Sequence, residues 1–371
     1  MAPDPLAKTI IDPFGTTVIE DYERLYEEFG IKPLKPLLNQ IQDPSAGMRR
    51  GVIFGHRDFE RILDAMRNGQ EFAVMSGIKP TGEFHLGTLQ TAREVIYFQQ
   101  HGAKAFYCIA DIEAYEDNRI PFERSQKYAV GNVADLLALG FDPKKGFIYQ
   151  QSKEQRVKDL AITFGRGVTL ATMKAIYGER HMGLYLSALI QAGDILLPQL
   201  KDFGGPKPTV VPVGVDQDPH LRLTRDLAFK FRRRHNFVMP SSTYHKLIKA
   251  LDGSPKMSKR SPMTYFTLEE SLEVISRKIS MSFTGGRPTA EEQRRLGANP
   301  DICPIYDLYL FHFFERDEDV ARLYNQECKG GKILCGENKQ RLMKLITDFV
   351  KEHQRKRRQY IDKAREILNV E

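Results

Sequence analysis

Two short segments of the chain contain residues that could bind and transfer part of a polyphosphate. The first is Pro80–Thr88, which places His85 between two glycines, and the second is Lys256–Arg260. The first follows an apolar run and precedes a helical pattern, so its backbone N–H groups can bind an anion. The second offers Lys256 and Lys259 around a small side chain, a pair of cations suited to a polyphosphate. Together, in this order, the segments predict a nucleotide site.

A parallel sheet would position these segments. Helical patterns near 88–100, 122–139 and 218–231 alternate with short apolar runs, which are Phe72–Met75, Ala105–Ala110, Phe147–Tyr149 and Thr209–Val213. Strands and helices that alternate at this spacing are typical of parallel strands joined by right-handed crossovers. We therefore predict an α/β fold with a Rossmann-like, doubly wound parallel sheet.

The same pattern divides the chain into three regions. Residues 1–68 are predicted to form an N-terminal extension, and residues 69–267 the domain that contains the sheet. Within that domain, a helical insertion at about 153–200 is expected to cover the carboxyl ends of the strands, where open parallel sheets bind ligands. From 268 to 371 the strand signal disappears, which predicts a helical domain with a glycine-rich break at 284–288.

Composition limits the function classes without choosing one. The 371 residues carry a net charge of +7, which favours an acidic partner such as nucleic acid but is also common among other enzymes. The sequence has no apolar run long enough to cross a membrane, and its first residues lack the features of a signal peptide. We expect a soluble, cytoplasmic protein with no membrane partner.

The four cysteines are few for this length, which suits a reducing compartment and argues against disulfides. Cys303, Cys328 and Cys335 gather around a glycine turn, as metal ligands would. The position that would complete the set is Asn338, so a site with four thiolates is incomplete. We therefore predict three ordinary thiols, and no metal held by protein side chains.

The two polyphosphate segments, the alternating pattern and the helical tail resemble the class I aminoacyl-tRNA synthetases, with the segments at the places of the HIGH and KMSKS motifs. Two further stretches narrow the resemblance to the tryptophanyl branch. Pro212–Asp226 looks like its Gly-x-Asp-Gln region, and Arg50–Asp58 is similar to the N-terminal extension of its archaeal and eukaryotic members. The match departs from the motifs at Thr88, where the family has His, and at Arg260, where it has Ser.

The resemblance implies an enzyme that activates L-tryptophan with ATP, releases pyrophosphate and transfers the aminoacyl group to tRNA(Trp). It also implies Mg²⁺ on the phosphates, a homodimer, and a C-terminal domain that reads the anticodon. The implied catalytic residues are His85, Thr88, Lys256, Ser258 and Lys259. The implied ATP contacts are Gly77, Lys79, Pro80, Gly87, Gly214, Asp216 and Met257. The alternatives are a tyrosyl-tRNA synthetase and a non-catalytic tRNA-binding paralogue.

The residues themselves suit displacement at the α-phosphate of ATP by a carboxylate that is already ionised. Such a reaction needs no protein base or nucleophile, so positioning and charge stabilisation must supply the catalysis. His85 can donate to phosphate oxygens, and Gly87 leaves room for adenine near the backbone. Lys256 and Lys259 can neutralise the charge that builds on the departing pyrophosphate.

The choice of amino acid depends on buried polar groups, because an unpaired buried group is what rejects a wrong substrate. By resemblance, Asp194 is the candidate acceptor for the indole N–H, although tyrosine enzymes also place an aspartate near this point. Met75 stands where tyrosine enzymes usually have Tyr, and it suits an indole better than a phenol. The full predicted tryptophan site is Met75, Glu113, Gln191, Asp194 and Gln217.

Two runs of basic residues are candidates for contacts with RNA. One ends the helical pattern after Asp216 and consists of Arg232, Arg233 and Arg234. The other lies in the C-terminal helical region and consists of Arg355, Lys356, Arg357 and Arg358. Runs of this kind are more often solvated faces, but a helical C-terminal domain is where the family reads unstacked anticodon bases. We predict that the second run binds tRNA.

Overall fold

The computed structural model describes Ile11, Pro13, Phe14, Tyr22, Met257 and residues 24–255 and 261–370. Within this part of the chain, seven strands form one sheet. They are β1 (Lys32–Pro33), β2 (Ile53–Arg57), β3 (Ala73–Ile78), β4 (Lys104–Ile109), β5 (Gly146–Gln150), β6 (Thr209–Gly214) and β7 (Ser241–His245).

The strands of the sheet are joined and covered by α-helices. Those in the first half are α1 (Arg24–Phe29), α2 (Ala46–Arg49), α3 (Glu60–Arg67), α4 (Leu86–Gln100), α5 (Asp111–Asn118), α6 (Phe122–Ala138), α7 (Gln155–Gly165), α8 (Leu170–Tyr177) and α9 (Met182–Leu196). Those that follow are α10 (Asp218–Lys230), α11 (Arg232–His235), α12 (Leu272–Met281), α13 (Ala290–Leu296), α14 (Pro304–Leu308), α15 (Asp317–Arg322) and α16 (Cys335–Leu368). Tyr309–Phe313 and Leu323–Cys328 are π-helical.

The sheet order is β1-β2-β7-β6-β3-β4-β5. The five strands from β7 to β5 are parallel, with β3 at the centre and the chain winding outward to both sides. This confirms the predicted α/β, doubly wound parallel sheet. The structure adds β2 and β1, which extend the β7 edge in antiparallel pairing. The N-terminal extension therefore contributes strands to the same sheet.

Successive side chains along a strand point to opposite faces of the sheet and so pack into two different cores. Val74 and Tyr107 face the main core, which α4 and α6 cover, while Met75 and Phe106 face a second cluster that includes Val157. A fully buried large apolar side chain stabilises the fold by about 1.5–3 kcal/mol, so this pattern fixes the register of the strands. The main core continues without a break into α12 and α16, and α16 packs along α6.

Charged side chains anchor the N-terminal extension to the rest of the molecule. Asp218 is fully buried at the start of α10 and receives hydrogen bonds from Arg57 at 2.9 and 3.0 Å and from Tyr244 at 2.5 Å. Arg50 bonds to Asp317 at 2.7 Å. The Arg50–Asp58 stretch thus joins β2 to β7, α10 and α15.

Helices α7, α8 and α9 pack with α10 in a cluster of their own, around Phe164, Tyr177 and Leu227. Gly193 allows this packing, because a Cβ built there would lie 2.7 Å from the carbonyl oxygen of Val157. The helices lie beside the carboxyl ends of the parallel strands, and α9 carries Gln191 and Asp194 to that edge. Among the described residues, the helices are too short or too polar to span a lipid bilayer.

Candidate active site

Two adjoining cavities lie at the carboxyl ends of the parallel strands. The outer cleft has a volume of about 420 Å³ and the inner cavity about 200 Å³. Both are lined by the ends of β3 and β6, which contribute Gly77, Ile78, Lys79, Gly214 and Gln217. A ligand with two parts could therefore occupy both cavities and react where they meet.

The N-terminus of α4 forms one wall of the outer cleft. His85 is the N-cap residue, and its Nδ1 accepts a hydrogen bond from the backbone N–H of Gly87 at 3.0 Å. The ring proton therefore lies on Nε2, which is 3.3 Å from Thr88 Oγ1. A Cβ on Gly87 would lie 2.9 Å from the His85 ring, so glycine is required for this cap. Both His85 and Thr88 line the cleft.

The other predicted nucleotide contacts also gather here. Gly214 ends β6 and Asp216 lies just after it, and a Cβ on Gly214 would lie 2.7 Å from Asp216 Oδ1. A Cβ on Gly77 would collide with Cys108 at 2.4 Å, so this glycine allows β3 and β4 to approach closely. Met257 is buried and lines the cleft. Pro80 is buried beside the cleft and does not line it.

Lys79 stands between the two cavities and is held by two carboxylates. Its Nζ lies 2.7 Å from Asp117 and 3.3 Å from Glu113, both on α5. Burial alone would lower the pKa of Lys79, but the nearby charges of Glu113 and Asp117 raise it overall. The lysine is thus a fixed cation at the junction of the cavities.

Asp194 lies at the end of the inner cavity and is only 2% exposed. Tyr149 Oη donates to Asp194 Oδ1 at 2.7 Å, and Gln151 Nε2 donates to Asp194 Oδ2 at 2.5 Å. The backbone N–H of Glu113 donates to Gln151 Oε1 at 3.3 Å, which fixes the orientation of that amide. The Cys108 thiol also faces this carboxylate. Because a carboxylate oxygen can accept more than one hydrogen bond, Asp194 is still able to accept from a ligand.

Burial makes the carboxyl group of Asp194 a weaker acid than usual. It raises the pKa of Asp194 to about 7, against the opposing effect of the hydrogen bonds from Gln151 and Tyr149. Without those two donors, the ionised form would be disfavoured further in this buried position. Tyr149 and Gln151 therefore favour the negatively charged form of Asp194 in this buried position.

The remaining predicted residues of the tryptophan site line the inner cavity. Met75 is buried on β3, and Glu113 is 7% exposed on α5. Gln191 Nε2 donates to Gln217 Oε1 at 3.3 Å, while Gln191 Oε1 is buried and has no hydrogen-bond partner among the described residues. The structure thus brings all five predicted side chains together, with an unpaired amide oxygen available for an ammonium group. Their roles stay predictions.

The predicted catalytic residues Lys256, Ser258 and Lys259, with Arg260, lie outside the described residues. The segment before them is anchored by Lys249, whose Nζ lies 3.0 Å from Asp307 on α14. Lys246 lines the outer cleft. In the segment that follows β7, Lys246 therefore brings a cation to the cleft, and Lys249 connects the sheet to the C-terminal helices.

The C-terminal basic run divides into buried and exposed members. Arg357 lies 3.0 Å from Asp135 and 2.6 Å from Glu269, and its side chain is only 16% exposed. His353 also reaches Asp135, at 2.7 Å. This placement does not support the prediction that Arg357 contacts RNA, because its charge joins α16 to α6.

The other three members of that run lie on the surface. Arg355 and Lys356 pair with Glu352 at 2.7 and 3.4 Å. Arg358 is exposed and has no ion-pair partner among the described residues. The RNA-binding prediction therefore remains for these three side chains. Arg232, Arg233 and Arg234 are exposed on α11.

Cys303, Cys328 and Cys335 line one small cavity together with Asn338, and all three are free thiols. Burial raises the pKa of Cys328 to about 12, so its thiol stays protonated at neutral pH. In the described part of the chain, we find no group of three or more His, Cys, Asp or Glu side chains arranged to hold a metal ion.

Sequence reasoning missed Tyr149, Gln151 and His245. All three lie at the carboxyl ends of parallel strands, where side chains meet ligands in this architecture. That position is the signal that could have identified Gln151, which follows β5 directly. The Ser241–His245 strand is too polar to stand out as a strand, so His245 could not be placed in advance.

Comparison with known proteins places this geometry in context. Residues 67–351 match the family model of class I tRNA synthetases (W and Y). The tryptophan–tRNA ligase of Hyperthermus butylicus is 42% identical over 367 residues, which cover 96% of this chain and 97% of that protein. The tryptophan–tRNA ligase of Aeropyrum pernix is 44% identical over 98% of this chain and 97% of its own length. The crystal structure of the A. pernix enzyme matches with a TM-score of 0.90, at 43% identity, and covers 96% of this chain and 98% of that one.

Proposed function

Because this chain belongs to the class I tRNA synthetases for tryptophan and tyrosine, we propose that it is a tryptophan–tRNA ligase. The enzyme joins L-tryptophan to ATP as tryptophanyl-adenylate, releases pyrophosphate, and transfers the aminoacyl group to tRNA(Trp). The relatives at 42% and 44% identity act on tryptophan according to their names, which gives the tyrosine alternative no support.

The observation that carries the proposal is a buried carboxylate held ready at the end of the inner cavity. Asp194 lines this cavity while two donors hold its carboxylate, and the surrounding wall includes Met75 and Cys108. An indole ring fills such an apolar space and has a single N–H to donate. The amino acid's ammonium group would then lie near Gln191 Oε1 and Glu113, with its carboxylate at the entrance to the outer cleft.

Activation takes place where the two cavities meet. A carboxylate oxygen of tryptophan attacks the α-phosphorus, and the bond from that phosphorus to the β-phosphate oxygen breaks, so pyrophosphate leaves with the electron pair. His85 Nε2–H and the Thr88 hydroxyl donate to phosphate oxygens from the start of α4, where the helix dipole also favours negative charge. Lys256, Ser258 and Lys259 supply the remaining donors in this proposal.

Transfer then requires only that the adenylate and the tRNA end are aligned. A hydroxyl of the 3′-terminal ribose attacks the adenylate carbonyl, and AMP departs with the bonding electrons while the proton passes to a phosphate oxygen or to water. Arg355, Lys356 and Arg358 are candidate contacts of the C-terminal region with tRNA phosphates.

The remaining partners follow from the chemistry of ATP and from the surface of the molecule. Mg²⁺ would be carried mainly by the phosphates themselves, since Mg²⁺ often keeps several waters and few protein ligands. Exposed apolar side chains on α7 and α9, among them Ile162, Met182 and Leu186, support a homodimer. The unpaired thiols suit the reducing cytoplasm.

The deciding experiment is ATP–pyrophosphate exchange with each proteinogenic amino acid in turn, followed by aminoacylation of tRNA(Trp) and tRNA(Tyr) transcripts. We expect exchange with tryptophan alone and charging of tRNA(Trp). Exchange with tyrosine in place of tryptophan would overturn the assignment. The absence of exchange with every amino acid would indicate a non-catalytic tRNA-binding protein.

A further inference from the structure

Glu94 and His245 form a buried polar pair beside the outer cleft. His245 is the last residue of β7, and its Nδ1 lies 2.9 Å from Glu94 Oε1. Thr243 Oγ1 donates to Glu94 Oε2 at 2.9 Å, and Gln90 Nε2 lies 3.3 Å from Oε1. Glu94 and His245 are 2% and 5% exposed. Burying a carboxylate is unfavourable unless hydrogen bonds satisfy it, as they do here.

This pair controls which nitrogen of His245 faces the cleft. A carboxylate only accepts hydrogen bonds, so the proton in the bond to Glu94 belongs to Nδ1. Nε2 of a neutral ring then presents a lone pair at the other end of the imidazole. His245 lines the outer cleft, and its Nε2 accepts a long hydrogen bond from Thr91 Oγ1 at 3.4 Å, which a ligand hydroxyl would replace.

Nε2 of His245 shares a small volume with Asp216. A Cβ built on Gly214 would lie 3.6 Å from His245 Nε2 and 2.7 Å from Asp216 Oδ1. The two acceptors, with Leu247 Cδ2 at 3.3 Å, therefore border the space that the missing side chain of Gly214 leaves open. A phosphate would be repelled from this space by Asp216, whereas two neighbouring hydroxyl groups could each donate to one acceptor.

We propose that His245, positioned by Glu94, binds one of the two ribose hydroxyls of the nucleotide while Asp216 faces the other. The proposal rests on the proposed function for the identity of the nucleotide. It adds a ribose-binding residue on β7 and a positioning residue, Glu94, on the same helix that begins at His85. One helix thereby orders the phosphate end and the ribose end of the ligand.

The first test compares ATP with 2′-deoxyATP and 3′-deoxyATP in the wild type and in His245→Asn. The Asn amide can still donate to Glu94 from about the position of Nδ1, but it removes the nitrogen that faces the cleft. We expect His245→Asn to raise KM for ATP about five- to tenfold, the loss of one hydrogen bond, and to leave KM for one deoxy analogue nearly unchanged. An equal loss with all three nucleotides would overturn the proposal.

The second test separates positioning by Glu94 from a general structural role. Glu94→Gln keeps an acceptor for Nδ1 and should retain most of the preference for ATP over the deoxy analogue. Glu94→Met removes that acceptor and should lose the preference as His245→Asn does, with kcat less affected than KM. Loss of the preference in Glu94→Gln, or its retention in a folded Glu94→Met, would contradict the positioning role.

Two controls keep this result distinct from the proposed function. His101→Asn changes a histidine at the other end of the same helix, whose Nδ1 contacts a backbone carbonyl at 2.7 Å, and should leave every nucleotide constant unchanged. Calorimetric titration with each nucleotide alone needs no amino acid. If the wild type bound ATP more tightly than the deoxy analogue but catalysed no exchange, the ribose contact would stand and the ligase assignment would fail.

Discussion

The inner cavity and the outer cleft meet at Lys79 and Gln217 but differ in how their charged side chains are held. In the inner cavity, the charge of Asp194 is buried and its two oxygens already accept hydrogen bonds from Tyr149 and Gln151. In the outer cleft, Lys246 stands at the start of the loop that follows β7, and the cleft is more open to solvent than the inner cavity.

This difference matches two different tasks. A site that selects must be complete before the ligand arrives, because a wrong ligand is rejected only if it leaves a fixed polar group unpaired. A site that transfers an adenylyl group must stabilise charge that appears during the reaction. Substitutions in the inner cavity should therefore change which amino acid binds, while leaving the nucleotide constants unaffected.

The largest effect is expected for Asp194→Asn. The Asn side chain has one carbonyl oxygen and one NH2 group, so its NH2 must face the donor of either Tyr149 or Gln151. We expect kcat/KM for tryptophan to fall about 100-fold, the value of one charge-assisted hydrogen bond, with KM for ATP unchanged. Exchange kinetics with each substrate varied in turn measure both constants.

The matched control for this prediction is Asp159→Asn, an exposed position on α7 where the carboxylate accepts a hydrogen bond from Gln155 at 2.8 Å. Its constants should equal those of the wild type. A parallel rise in KM for ATP in Asp194→Asn would break the distinction between the two cavities.

The pH dependence of tryptophan binding should be the next largest effect. The pKa of Asp194 is raised by burial to about 7, so the carboxylate gains a proton as the pH falls through that value and can no longer accept freely. Affinity should be constant well above pH 7 and weaken about tenfold for each unit below it. The chain contains no Trp, so the fluorescence of the ligand's indole reports binding directly. A pH profile for Asp194→Asn with the same step near pH 7 would assign the titration to another group.

A smaller change is expected for Tyr149→Phe, which removes one donor to Asp194 without opening the cavity, because Tyr149 lies behind the carboxylate. KM for tryptophan should rise about fivefold. The preference for tryptophan over an analogue with sulfur in place of the ring N–H should fall by a similar factor. Tyr107→Phe removes another buried hydroxyl, one with no hydrogen-bond partner among the described residues, and should change neither value. An unchanged preference in Tyr149→Phe would limit Tyr149 to packing.

The sequence was informative where a local pattern determines the structure. The alternation of apolar runs and helical stretches predicted β3, β4, β5 and β6, because buried parallel strands must be apolar on both faces. It could not predict β7, whose residues Ser241–His245 are polar but buried. The hydroxyls of Ser241 and Thr243 donate to groups distant in the chain, the carbonyl of Asp58 and the carboxylate of Glu94.

The same limit explains the residues that were missed in the site. An aromatic side chain in a strand, such as Tyr149, normally belongs to the core, and only the approach of α9 brings Asp194 within 2.7 Å of it. Arg357 and Arg358 are adjacent residues of the same type. Arg357 is the more buried of the two because it lies on the face of α16 that packs against α6. Local sequence predicts which elements form, while partners across elements require the fold.

The contrast between buried, paired charge and exposed charge also separates two neighbours on α16, which gives the smallest prediction. Arg358→Ala should weaken tRNA binding about threefold and lower its salt dependence by about one released ion, because an exposed cation contributes mainly through phosphate contacts.

Arg357→Ala is the matched control. It removes the cation shared by Asp135 and Glu269, leaving Asp135 with His353 alone, and should lower the free energy of unfolding by about 3 kcal/mol. Thermal unfolding and filter binding over a range of salt measure the two effects. If Arg357→Ala weakened tRNA binding without loss of stability, a buried charge on α16 would take part in tRNA recognition. The distinction between buried, paired charge and exposed charge would then apply to the active site alone.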